Sequence, residues 1–103
     1  MKAQRIKFSD LSFRKKEWID NADSKQAVVR LGNWRISIIN DGYGAKFGLY
    51  EVGISNGREE FISTPYADRK WKGCGGIFGW KDEKDVEQIC NYFINRFNRK
   101  LLD

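Results

Sequence analysis

Histidine is absent from the 103 residues, cysteine occurs twice and proline once. Without histidine the chain cannot build a His/Cys zinc site, a Ser-His-Asp triad or a Cys-His dyad, which excludes much familiar hydrolytic chemistry. Cys74 and Cys90 lack CxxC spacing, so two free thiols and neither metal nor cofactor are expected. No apolar run approaches the roughly 18 residues of a membrane-spanning helix, and Met1 to Lys7 offers no apolar block for a secretion signal. The expectation is a soluble, cytoplasmic protein with no membrane partner. The scarcity of proline, with 41% apolar and 15% aromatic residues, argues against disorder. The length suits a single domain, 1–103, with one small core.

Charge is plentiful, with a net +5, but unevenly spread. Residues 1–40 carry nine basic and four acidic side chains, and residues 69–81 carry four basic and none acidic. The second block, Arg69-Lys70-Trp71-Lys72 and Lys81, is the denser.

Two turn signals divide the middle of the chain. Gly32-Asn33 separates Gln26–Leu31 from Trp34–Ile39, and Asn56-Gly57 separates Phe47–Ile54 from Arg58–Ser63. Both dipeptides suit the positive φ angles of two-residue hairpins and lie between β-branched and aromatic residues. Two hairpins joined by the glycine-rich Asn40–Ala45 give a four-stranded antiparallel meander over 26–64. Ala27, Val29 and Leu31 share one face with Trp34, Ile36 and Ile38, while Val28, Arg30, Arg35 and Ser37 take the other.

Val86, Ile89, Cys90, Phe93, Ile94, Phe97 and Leu101 recur at helical spacing, which predicts a helix over 82–102 with Asp82 as N-cap. It should close one face of the sheet, making the fold class α+β. Residues 65–81 read as a basic loop. Residues 1–25 read as an irregular arm, because Ile6, Phe8, Leu11, Phe13, Trp18 and Ile19 follow no clean period.

Several pieces, read in order, resemble a group of small phage and prophage proteins. They are Lys7-Phe8-x-Asp10-Leu11-x-Phe13, Trp34-x-Ile36-Ser37-Ile38, Gly48 to Val52, Thr64-Pro65, and Ile77-Phe78-Gly79-Trp80 leading into the helix. The chain departs from that group at Tyr66 to Gly76, longer here and carrying the basic block. The resemblance implies no catalysis. It implies by analogy an anti-CRISPR-like inhibitor that binds a host protein or ribonucleoprotein effector inside the host cell. A small basic nucleic-acid-binding module, making weak contact, is the alternative.

Within Tyr66–Gly76, cations alternate with a tryptophan. Arg69, Lys70, Trp71, Lys72 and Lys81 are the candidate partner-binding residues, docking an acidic protein surface or gripping phosphates while Trp71 stacks on a base. Equally, Trp71 packs on the core and the cations are simply solvated. Arg30 and Arg35 fall opposite one another on the open face of the first hairpin, an unfavourable pairing unless an anion neutralises it. Glu51 or Glu60 is the favoured neutraliser, and phosphate the other. Gly48-Leu49-Tyr50, Phe61-Ile62-Ser63 and Arg69 are similar to the motifs of GIY-YIG nucleases. The second motif lacks its tyrosine and glycine, and Asp82-Glu83-Lys84 is better read as helix-start acidity than as a nuclease element, so no catalytic residue is assigned.

Overall fold

The computed structural model describes residues 2–16 and 23–102. Five strands form one antiparallel sheet in sequence order: β1 (Arg14–Lys15), β2 (Lys25–Leu31), β3 (Trp34–Ile39), β4 (Tyr50–Ser55) and β5 (Ile77–Lys81). A short helix α1 (Pro65–Lys70) precedes β5, and α2 (Glu83–Asn98) follows it. The fold is the expected α+β arrangement with one strand more than the four of the sequence reading. Trp18 and Ile19 lie outside the described residues.

The first hairpin forms as the turn signal predicts. Leu31 pairs with Trp34 across Gly32, whose φ of +63° is one that glycine takes without steric cost. Strand alternation then sends Ala27, Leu31, Trp34, Ile36, Ile38, Val52, Ile54 and Phe78 to one side, where α2 covers them with Val86, Ile89, Cys90, Phe93 and Ile94. Each fully buried aliphatic or aromatic side chain contributes about 1.5–3 kcal/mol.

The second hairpin turns but does not continue. Asn56 Oδ1 accepts from the Arg58 and Glu60 amides at 2.8 and 3.0 Å, and Glu59 takes a left-handed φ of 62°. Beyond that turn only Phe61 pairs with Ser55, through one isolated bridge. The remainder of that β4 edge belongs to β5 and its lead-in, with Gly76 accepting from the Ile54 amide at 2.8 Å. Burial explains the outcome. The β5 register places Phe78 opposite Val52 in the core, whereas continuing the hairpin register from Phe61 against Ser55 would bring the polar Thr64 there. Residues 65–81, read as a loop, therefore hold a helix and a strand, and residues 58–63 are no strand.

Helix α2 begins as predicted, with Asp82 accepting from the Asp85 amide at 2.8 Å. It stops at Asn98, short of 102, where Lys100 turns left-handed (φ 58°) and the Leu101 amide reaches back to the Arg96 carbonyl. This closure resembles the usual glycine-bearing helix end with a lysine in the glycine's place.

The arm is fixed by the helix it crosses. Asn98 both donates to and accepts from the Ala3 backbone (2.7 and 2.7 Å), Asn91 does the same for Ile6 (2.9 and 2.8 Å), and Glu87 accepts from the Phe8 amide. Seven helical residues rise about 10.5 Å, close to the roughly 10 Å of three extended residues, so Asn91 and Asn98 match Ile6 and Ala3 in spacing. Asn91→Ala would strand the Ile6 amide and carbonyl, at a cost of about 1–3 kcal/mol. Trypsin should then cut faster after Arg5 and Lys7 than in the parent, as peptide mapping would show.

Candidate functional site

The basic block is dispersed rather than gathered. Thr64 caps α1, accepting from the Ala67 amide at 3.1 Å, and Pro65 opens its first turn. Ala67 and Trp71 then lie four residues apart on one face, and both are buried. The Trp71 ring sits edge-on to Tyr92 and Tyr66, with centroids 5.5 and 6.4 Å away. Trp71 is therefore core, not an exposed docking anchor, and its indole nitrogen is buried without a hydrogen-bond partner among the described residues. Lys70 lies over the Tyr66 and Trp71 rings, its Nζ 5.8 and 5.5 Å from their centroids. Arg69 and Lys72 are exposed. Lys81 stands apart, buried on β5 opposite Tyr50. The Tyr50 ring packs on Phe8 and Phe13 at 5.2 and 5.6 Å, so the nuclease-like tyrosine belongs to the hydrophobic packing. Burial first, and then the Glu83 charge, raise its hydroxyl above the ordinary value.

Arg30 and Arg35 do stand directly opposite one another, as the hairpin register predicts. The expected neutralisers are engaged elsewhere. Glu60 accepts from Asn56 Nδ2 at 3.0 Å, and Glu51 lies beneath the connector, 3.5 Å from the Tyr43 amide. Among the described residues the ion pair is Lys16–Asp41, at 2.7 Å. Burial acts to raise the Asp41 carboxyl, but the Lys16 hydrogen bond and charge, aided by Ser24, hold it below 3.8.

The arginines belong to the sheet face that α2 leaves uncovered. One row across it runs Arg30, Arg35, Ser55; the next runs Val28, Ser37, Gly53, Ile77. Such rows are about 7 Å apart, two residues of rise. A Cβ on Gly53 would meet Phe61 at 2.9 Å, so the half-exposed Phe61 ring packs against that second row. In the third row Glu51 faces an extra residue on β5, because Tyr50 pairs with Lys81 while Val52 pairs with Phe78. This bulge comprises Gly79 and Trp80, and Trp80 takes a φ of +53°.

The bulge redirects a tryptophan outward. The Trp80 amide donates to the Tyr43 carbonyl at 3.0 Å, and the two rings stack with centroids 5.3 Å apart. Tyr43 occupies the space a Cβ on Gly79 would fill, 2.7 Å away, so the stack rests on the uncovered face. Tyr43 remains 61% exposed and Trp80 57%. Left-handed backbone at a bulky residue costs about 1–3 kcal/mol and persists only where its surroundings hold it. Sequence reasoning passed over Tyr43, Phe61 and Trp80 as site residues; Gly79-Trp80 next to a core phenylalanine was the available signal, a glycine marking a bulge or close approach in a strand.

Among the described residues no cluster of His, Cys, Asp or Glu could hold a metal, and no helix is long and apolar enough to cross a membrane. Cys74 is exposed and Cys90 buried, both free, and burial with the Glu87 charge pushes the Cys90 thiol up to about 12. A thiol reagent at neutral pH should label one equivalent rapidly, at Cys74, and the second only in denaturant. The chain matches no family model, no curated protein and no solved structure.

Proposed function

We propose that the protein is a non-catalytic inhibitor of the phage type, docking on a host defence or nucleic-acid-processing protein or ribonucleoprotein. The observation that carries this reading is the Tyr43–Trp80 stack, more than half exposed and held out by a strained bulge on a sheet face that no helix covers among the described residues. Tryptophan, tyrosine and arginine are the residues in which interface binding energy concentrates, and this face supplies all three. The docking surface is thereby assigned to the open sheet rather than to Arg69, Lys70, Trp71, Lys72 and Lys81. Of these, exposed Arg69, Lys70 and Lys72 are left as an accessory basic edge.

The test is capture from a bacterial host lysate by tagged protein. A double variant, Tyr43→Ala with Trp80→Gly, keeps the left-handed backbone accessible and should melt near the parent while losing the captured effector. Arg69→Ala with Lys72→Ala should retain it. Equal capture by the parent and the Tyr43/Trp80 variant would place the docking surface elsewhere.

A further inference from the structure

We infer that the open sheet face binds single-stranded nucleic acid, its phosphates over Arg30 and Arg35 and successive bases over Phe61 and Tyr43. The inference rests on the open face being the docking surface, and names what that face meets in a nucleic-acid-processing target. Charge complementarity carries it. Two arginines paired directly across strands put like charges side by side, and no carboxylate lies within ion-pair distance of either among the described residues. A polyanion relieves that repulsion, in a protein of net charge +5. Arginine's planar fork is also the group best matched to phosphate oxygens.

The aromatic placement narrows the polyanion to one with bases. Phe61 packs over Gly53 on β4, one row from the arginines, and Tyr43 over Gly79 on β5, in the row after, so the aromatic positions run diagonally across the sheet from the β2–β3 arginine pair, with rows about 7 Å apart. A cationic pair followed by exposed aromatic positions on one sheet face is the combination that holds single strands, since every base has a stackable face. A duplex buries its base faces and has nothing to offer Phe61 or Tyr43. Trp80 backs the Tyr43 ring at 5.3 Å and fixes its plane. Glu51, the carboxylate in the third row, turns toward the Tyr43 amide under the connector, so the phosphate path keeps to the arginine side.

Fluorescence anisotropy with a labelled 12-nucleotide oligothymidylate tests this, with the same-length duplex and polyglutamate as competitors. The expected result is salt-dependent binding to the single strand, with weak competition from either competitor. Arg30→Gln with Arg35→Gln should lower the log–log salt slope by about 1.4, at about 0.7 for each phosphate no longer neutralised. Phe61→Leu, which keeps an apolar cover on Gly53, should weaken binding about tenfold and leave the slope unchanged. Arg69→Gln with Lys72→Gln makes the same charge change off the face and should leave the Phe61 dependence intact. No binding of the oligonucleotide, equal losses from the two double variants, or displacement by polyglutamate as effective as by unlabelled strand would overturn the inference, the last identifying an acidic protein surface as the occupant. Nuclease-resistant capture of the effector alongside any of these would leave the docking reading standing. Oligonucleotide binding with the expected variant effects, but without any effector capture, would support the nucleic-acid site and overturn the docking reading instead.

Discussion

Phe93→Ala should destabilise the protein by about 3–5 kcal/mol, the range for deleting a buried phenylalanine. Phe93 is 1% exposed at the centre of α2, facing the sheet, with Tyr92 at 5.0 Å and Phe78 at 6.4 Å between ring centroids. Phe78 is the residue through which β5 joins the core, so the cavity opens where helix and late strand meet. A shift of about 4–8 °C per kcal/mol for a domain of this size puts the melting temperature at least about 12 °C below the parent. A variant that melts with the parent would mean α2 does not cover the sheet.

The helix and the first hairpin were legible because each rests on a local pattern that tertiary context reinforces. The Val86 to Phe97 stripe has one period and one cap, and Gly32-Asn33 joins two strands whose alternation agrees. The second hairpin carried an equally good turn signal and was overruled by competition. Its strand and β5 seek the same β4 edge, and a local signal at Asn56-Gly57 contains nothing about Phe78, more than twenty residues later. β1, two residues long, has no period to read, and its Arg14 and Lys15 give the sheet a charged edge that discourages pairing with other chains. The arm was legible as irregular but not as attached. Asn91 interrupts an otherwise apolar helical stripe, and its purpose is visible only once Ile6 lies beside it.

At the site, the arginine pair was legible and its surroundings were not. Register alone places Arg30 against Arg35, but whether a carboxylate reaches them depends on where Glu51 and Glu60 finish, and the Asn56 turn and the Tyr43 connector claim both. Tyr43 and Trp80 lie 37 positions apart, brought together by a bulge that no periodicity announces. Trp71 was misleading for the opposite reason. A cation-flanked tryptophan followed by glycines reads as a loop tip, yet Thr64-Pro65 is a helix start, and four residues after buried Ala67 the helical face leads inward.

Trp71→Ala should accordingly cost about 3–5 kcal/mol, as large as the Phe93 effect and a substantial part of the 5–15 kcal/mol typical of a folded domain. The ring fills the angle between α1 and α2, touching Tyr66 and Tyr92, and Lys70 lies across its outer side. Its removal leaves Tyr92, whose hydroxyl bonds the Thr64 cap at 2.7 Å, without a neighbour on one side, so α1 should loosen as well. Arg69→Ala should change stability by less than about 0.5 kcal/mol, because the side chain is exposed and makes no ion pair among the described residues. Lys72→Gly should be neutral or stabilising, since Lys72 holds a φ of 53° that glycine adopts freely. Thermal melts of these three variants separate a core tryptophan from a docking tryptophan: the core assignment requires a large loss at Trp71 and little or none at its cationic neighbours, whereas a Trp71→Ala protein as stable as the parent would return the ring to the surface.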